Sequence, residues 1–188
     1  VSGLRDVALS VERNVIEAEL RGSQLKDSPL QRDGVLAGEK VLIDIREGTT
    51  LGDVSGYIDG VQRGIAEKSA TGGSIVLKSE GDVVVRAGAS LDVSGGSIAY
   101  AAGDTGTTRL VSDGRSFDIA TASAERIYSS FVKDSYRYEA GYVEGKDAGS
   151  VAIYGNKVAL DGSLSGGTVA GIHQRDVAKR PLGAKLTV

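Results

Sequence analysis

A cluster of aromatic residues is the feature of this sequence best suited to binding chemistry. Seven of the nine aromatic residues lie between positions 100 and 142. Tyr136, Tyr138 and Tyr142 are separated by even numbers of residues, so a strand would point them the same way. Exposed tyrosines can stack on sugar rings or anchor a protein partner. We therefore predict partner-binding residues at Tyr128, Tyr136, Tyr138 and Tyr142. Such clusters more often form a small satellite core, so exposure decides between the two interpretations.

Acid–base chemistry of the kind that cleaves polysaccharides would need two carboxylates on one face. The candidate carboxylates, and the arginines that could neutralise a uronate, are Asp44, Glu47, Asp92, Asp161, Arg46 and Arg86. However, Leu91-Asp92 and Leu160-Asp161 precede glycine corners, where an aspartate commonly bonds the backbone of its own turn. The sequence therefore favours structural aspartates and predicts no catalytic residue.

Metal and nucleophile sites find little support in the sequence. The chain has one histidine, His173, and no cysteine, whereas metal sites need clustered ligands. The glycine pairs lack the further glycine and aspartate of calcium-binding repeats. Ser97 and Ser165 lie in glycine turns without a histidine to activate them. We predict no metal, no cofactor and no enzymatic activity.

Charge and hydropathy exclude two other classes. The net charge is -3 and the pI is about 5.3, without the basic stripe that would follow a phosphate backbone, so nucleic acid is not an expected partner. The sequence has no apolar run near the 18 residues that cross a bilayer. The first twenty residues are charged and lack the apolar segment of a signal peptide, and no initiator methionine is present. We expect a piece of a much larger protein.

The elements that would position these residues are centred on the stretch from Gly72 to Tyr100. Its three short apolar runs are typical of strands, and Gly72-Gly73-Ser74-Ile75 recurs as Gly95-Gly96-Ser97-Ile98, a step of 23 residues. Stacked repeats of about this length predict an all-β solenoid, a right-handed parallel β-helix. The inward residues would be Ile75, Leu77, Val83, Val85, Leu91 and Val93, and the outward ones Lys78, Ser79, Arg86 and Asp92. An antiparallel sandwich with glycine-rich hairpins is the alternative.

We expect the rest of the chain to form flanking strands, helices and an insertion around this solenoid. Alternating residues predict two strands over 4–20, one over 41–46 and one over 185–188. Apolar residues from Leu51 to Ile65, spaced by three and four, predict one helix over 53–67, and Ser123 would cap a further short helix. Residues 100–145 interrupt the pattern as an extra-helical insertion. The domain prediction is one β-helical module covering 1–188.

Several segments together resemble one family, the filamentous haemagglutinin-like exoproteins exported by two-partner secretion. The resemblance rests on SPLQRDG, VLIDIREGT and LGDVSGYI, on the long stretch from Gly72 to Tyr100, and on the later DAGSVAI and LDGSLSG. It implies a β-helical shaft with insertions, secretion to the bacterial cell surface, and an outer-membrane secretion partner for the parent chain. It brings no catalytic residue.

The function that this resemblance implies is adhesion. We expect a non-enzymatic shaft or binding segment of a secreted, cell-surface filamentous adhesin, whose partner is a host or bacterial surface glycan or protein. The alternative is a β-helical enzyme that binds or cleaves polysaccharide.

Overall fold

The computed structural model describes residues 1–188 and divides into two compact units. Unit 1 comprises Val1–Leu9, Arg63–Ala101 and Gly141–Val188, and unit 2 comprises Ser10–Gln62 and Ala102–Ala140. The strands are β1 (Val7–Ser10), β2 (Val15–Glu19), β3 (Lys40–Asp44), β4 (Ser74–Lys78), β5 (Val83–Val85), β6 (Ser90–Asp92), β7 (Ser97–Ala101), β8 (Gly103–Ser112), β9 (Arg115–Asp118), β10 (Ser130–Glu139), β11 (Tyr142–Gly145), β12 (Ser150–Tyr154), β13 (Val158–Leu160), β14 (Ser163–Ser165) and β15 (Lys185–Thr187). The helices are α1 (Pro29–Arg32), α2 (Ser55–Asp59) and α3 (Ile65–Lys68), with 3₁₀ turns at Val11–Asn14, Ile172–Gln174 and Val177–Lys179.

Unit 2 is built from antiparallel strands. The long strand β8 lies between β10 and β9 in one sheet, and β2 pairs with β3 in another. The β8–β9 hairpin turns at Asp113 and Gly114, which both have positive φ, as a two-residue Asp-Gly turn requires. Thr108 ties the strands together, since its hydroxyl accepts the Leu42 N–H at 2.8 Å and donates to the Lys133 carbonyl at 2.7 Å.

The core of unit 2 is a large aliphatic cluster. Its buried members are Ala18, Leu20, Leu25, Leu36, Val41, Ile43, Leu51, Val54, Leu110, Ile119, Ala122 and Tyr128. Gln31 is also buried, and its amide nitrogen donates to the carbonyls of Ala124 and Arg126, both at 2.8 Å. The loop after β9 is thereby fixed to α1 by a satisfied polar group.

Unit 1 contains a three-stranded sheet in the order β1–β7–β11, in which β7 and β11 are antiparallel, and three small sheets of parallel strands. In the parallel ladders β12 lies between β15 and β4, β13 pairs with β5, and β14 pairs with β6. Val93, Val151 and Ile153 are buried at their centre. Of the residues expected to point inward, Ile75, Leu77, Val83, Leu91 and Val93 belong to this cluster and Val85 is also buried, whereas Lys78, Ser79 and Arg86 are exposed.

The prediction of a right-handed parallel β-helix is wrong. The chain forms mostly small strands in six separate sheets, with 12% helix, and no solenoid is present. The expected repeat does not stack on itself: Ser74 pairs with Ser150, 76 residues away, whereas Ser97 pairs with Gly145 in an antiparallel ladder. Within the insertion expected over 100–145, residues 103–139 form three antiparallel strands.

The recurring glycines have a different physical cause. A Cβ at Gly72 would lie 2.3 Å from the Val93 carbonyl oxygen, and one at Gly95 would lie 1.9 Å from that of Lys146. The motif therefore marks places where two backbones approach too closely for any side chain. A repeated requirement for close approach gives a repeated sequence without a repeated coil.

The predicted helices also need correction. Instead of one helix over 53–67, the structure has the short helices α2 and α3 separated by an irregular stretch. Gly60 ends the first and Gly64 precedes the second, because glycine weakens a helix that packing does not support. Turns replace the helix expected after Ser123. The strands expected within 4–20, 41–46 and 185–188 are confirmed.

Candidate ligand-binding surfaces

The structure separates the four candidate tyrosines into two pairs. Tyr136 and Tyr138 are 66% and 72% exposed, whereas Tyr128 and Tyr142 are only 4% and 7% exposed. The first pair lies on β10 in unit 2, where alternate residues of a strand point to one face. Only Tyr136 and Tyr138 are therefore accessible to a partner.

Strand β8 lies beside the exposed tyrosine pair and contacts the ring of Tyr136. Tyr136 lies directly opposite Gly106 of β8, and a Cβ at Gly106 would lie 2.9 Å from the Tyr136 ring carbon Cε1. The ring therefore lies over the bare backbone of β8. Tyr138 lies opposite Asp104, whose side chain is also exposed. The Cα atoms of two residues in positions i and i+2 of a strand are about 7 Å apart.

Strand β10 is an edge strand of its sheet and carries charged side chains. Lys133 Nζ donates to Glu17 at 2.6 Å, and Arg137 lies 3.9 Å from Glu47. The ladder register shifts between Val132 and Ser135, and such an irregularity discourages the edge from pairing with another strand. The tyrosine pair is therefore presented on a charged strand edge.

The buried tyrosines pack against other rings. In unit 1, Tyr142 stacks on Tyr100 with ring centroids 4.8 Å apart, and His173 meets the Tyr142 ring edge-on at 4.6 Å. In unit 2, the Tyr128 hydroxyl donates to the Ser123 carbonyl at 2.9 Å, and its ring meets Phe117 edge-on at 6.2 Å. These contacts stabilise the interior of each unit. His173 packs against Tyr142 as part of them.

Burial also changes the acidity of Tyr100. Its pKa is raised well above the ordinary value of 10, first because the hydroxyl is removed from water and then because of the negative charge of Glu144. A tyrosine with a raised pKa stays protonated near neutral pH. Tyr100 therefore keeps its proton above pH 10, where an exposed tyrosine loses it.

The carboxylates considered for acid–base chemistry do not come together. Asp44 is buried in unit 2, where Arg46 forms ion pairs with both Asp44 and Glu139. In unit 1, Asp92 accepts the Ser94 N–H at 2.9 Å, as an aspartate that stabilises its own turn does. That hydrogen bond also lowers the pKa of Asp92.

A cleft in unit 1 gathers charged residues that the sequence analysis did not select. Its volume is about 600 Å³. It is lined by Arg63, Thr71, Glu144, Gly145, Lys146, Asp147, Gln174, Val177, Ala178, Lys179, Arg180, Pro181 and Leu182. One sequence signal could have found it: residues 175–185 contain four cations and one aspartate in a chain of net negative charge.

Comparisons with known proteins found no similar protein. No family model matches the chain, and neither the curated proteins nor the solved structures contain a match. No three His, Cys, Asp or Glu side chains lie together as a metal site. None of the helices is both long and apolar enough to cross a membrane.

Proposed function

We propose that this chain is a non-enzymatic binding segment of a secreted bacterial surface adhesin, and that Tyr136 and Tyr138 contact a surface saccharide. The observation that carries the proposal is the exposure of two neighbouring aromatic rings on one strand of unit 2. Exposed aromatic side chains are costly to leave in water and contribute strongly when a ligand covers them. The resemblance to filamentous haemagglutinin-like proteins supplies the surface setting and the secretion partner of the parent chain.

A saccharide suits this surface better than a protein partner does. The two rings lie on one face of β10, where their Cα atoms are about 7 Å apart along the strand, and the exposed charged residue Asp104 lies opposite Tyr138. Stable protein interfaces need about 800 Å² on each side with a desolvated apolar centre. A small aromatic platform with a polar border instead matches a sugar, whose C–H face packs on a ring while its hydroxyls bond the border.

The proposal is tested with a double substitution, Tyr136→Ser with Tyr138→Ser. Wild-type chain is applied to a glycan array, and bound glycans are then titrated in solution. We expect the double variant to lose at least about tenfold in affinity, which corresponds to about 1.4 kcal/mol, with an unchanged melting temperature. Tyr154→Ser is the matched control, because Tyr154 is 49% exposed but lies on β12 in unit 1.

Gly106→Ala provides a subtler variant. The added Cβ would crowd the Tyr136 ring and displace it from β8, so we expect weaker glycan binding with the tyrosine still present. Unchanged binding in the double tyrosine variant would contradict the proposal. Loss of binding to a protein ligand alone would assign the platform to a protein partner and refute the saccharide.

A further inference from the structure

The cleft in unit 1 has a charge opposite to that of the whole chain. Four cations and two carboxylates line it, whereas the chain carries a net charge of -3. Both carboxylates already have partners: Glu144 forms an ion pair with Lys146, and Asp147 Oδ1 accepts the Leu182 N–H at 2.7 Å. The ion pair neutralises Lys146, and Asp147 keeps its charge, so the four cations and two carboxylates leave the lining with a net charge of +2.

Two of the cations have no carboxylate partner. Lys179 takes part in no ion pair, and Arg180 donates from Nε and Nη2 to the Arg175 carbonyl at 3.2 and 3.0 Å. These bonds orient the guanidinium and leave Nη1 for another acceptor. Arg63, by contrast, lies 3.8 Å from Glu67 and is partly neutralised. An anion entering the cleft would thus interact most strongly with Lys179 and Arg180.

The segment that carries these cations is anchored to the sheet near both ends. At its start, Gln174 Oε1 accepts the N–H groups of Gly145 and Gly171 at 2.9 and 3.0 Å, while its amide nitrogen donates to the Gly145 carbonyl at 2.9 Å. At its end, Leu182 bonds Asp147. A wall held at both ends loses less conformational entropy when a ligand binds.

The remaining lining suits a sugar that carries the anionic group. Val177, Pro181 and Leu182 offer apolar surface, and Thr71 offers a hydroxyl. The volume lies within the 300–1,000 Å³ typical of small-ligand sites and exceeds what a single inorganic anion needs. Arg180 Nη1 and Lys179 Nζ can each donate a charge-assisted hydrogen bond to a carboxylate of the sugar.

We propose that this cleft binds a carboxylated saccharide, such as a uronate, with Lys179 and Arg180 contacting the carboxylate groups. The inference does not depend on the tyrosine pair, because the two surfaces share no residue and belong to different units. Net negative charge elsewhere would repel such a ligand, and the field of the cleft would concentrate it there.

The experiment is calorimetric titration of the full chain with an oligogalacturonate, with its fully methyl-esterified form as the uncharged counterpart. We expect the acidic oligomer to bind and the ester not to bind. Lys179→Gln with Arg180→Gln should weaken binding by about tenfold or more, since each change removes a charge-assisted hydrogen bond. Lys78→Gln with Arg86→Gln is the control, because it removes the same charge from exposed sites outside the cleft.

Each other outcome overturns the inference. Absence of wild-type binding, equal binding of the ester, or equal weakening in the control pair would each refute a specific carboxylate site. Binding of a sulfated oligosaccharide or of inorganic phosphate in place of the uronate would refute the carboxylate assignment. The Tyr136→Ser, Tyr138→Ser variant should bind the uronate normally, so failure of the tyrosine proposal and failure of this one are distinguishable.

Discussion

Apolar residues of the same kind are covered very differently in the two units. In unit 2, Leu110 lies on the central strand β8, pairs with Phe131 on one side and Phe117 on the other, and is fully buried. In unit 1, Leu164 of β14 pairs only with Leu91 of β6 and stays 39% exposed. The difference lies in what packs over each side chain: Leu110 belongs to the buried core cluster of unit 2, whereas Leu164 lies outside the cluster of Val93, Val151 and Ile153 in unit 1.

Unit 1 also shows a difference in burial between partners in one register. Val85 is 6% exposed but its partner Leu160 is 36% exposed, and Val151 is 4% exposed while its partner Leu186 is 49% exposed. The later strands β13 and β15 therefore add backbone hydrogen bonds but little buried area. Since buried apolar area provides most of the stabilisation, the earlier strands should dominate the stability of unit 1.

The largest effect should come from placing a charge on the buried face of strand β5. Val85→Asp would put a carboxylate among aliphatic side chains with no partner, so we expect a loss of more than about 3 kcal/mol in the free energy of unfolding. Urea denaturation followed by circular dichroism measures it. Val84→Asp is the matched control, because Val84 is the adjacent residue, is 54% exposed, and should cost about 1 kcal/mol or less.

Similar losses for the two aspartate variants would show that β5 does not have one covered and one exposed face. Because the chain has two compact units, a single unfolding transition cannot be assumed. Hydrogen exchange of peptides from 74–92 should therefore accompany the denaturation curves. A loss of protection confined to unit 1 peptides is the expected pattern for Val85→Asp.

Local features of unit 1 were accessible from the sequence. Alternation of apolar residues correctly separated the covered Val85 and Val93 from the exposed Lys78 and Arg86. This works because a strand places successive side chains on opposite faces wherever it pairs. Which strand would be the partner could not be predicted, because the ladders join residues some 75 positions apart and no local rule specifies that choice.

The sites were predictable only in part. The tyrosine cluster was visible in the composition, but exposure of Tyr136 and burial of Tyr142 depend on contacts with Gly106 and Tyr100, which the sequence does not reveal. The cleft was missed because its lining comes from three separate segments. The ion pair of Asp44 with Arg46 was likewise not predictable from the sequence, which shows only a carboxylate two residues before an arginine.

A smaller effect should appear at alkaline pH and compare one buried tyrosine from each unit. The pKa of Tyr128 in unit 2 is raised by burial, as that of Tyr100 is in unit 1. An unfolded tyrosine ionises near pH 10, whereas the folded one keeps its proton, so above pH 10 the unfolded state binds fewer protons and stability falls as pH rises. Below pH 10 neither residue should affect the pH dependence.

Hydrogen exchange between pH 9 and 11, corrected for the intrinsic rate, measures this loss in each unit separately. Tyr100→Phe should flatten the alkaline decline in peptides of unit 1 alone, and Tyr128→Phe should do so in unit 2 alone. Tyr138→Phe is the control, because that ring is exposed and should leave both declines unchanged. A decline that persists in both phenylalanine variants would show that other groups cause it.

The smallest effect should come from a leucine on the open strand β14. Leu164→Ala removes side-chain atoms that are already partly in water and leaves no closed cavity, so we expect a loss of about 1 kcal/mol. Ile153→Ala is the reference, because Ile153 is 1% exposed in the same unit and the truncation of a closed site costs about 2–5 kcal/mol. Urea denaturation of both variants gives the comparison. Equal losses would mean that β14 is covered in solution, and the contrast between the buried Leu110 and the open Leu164 would then fail.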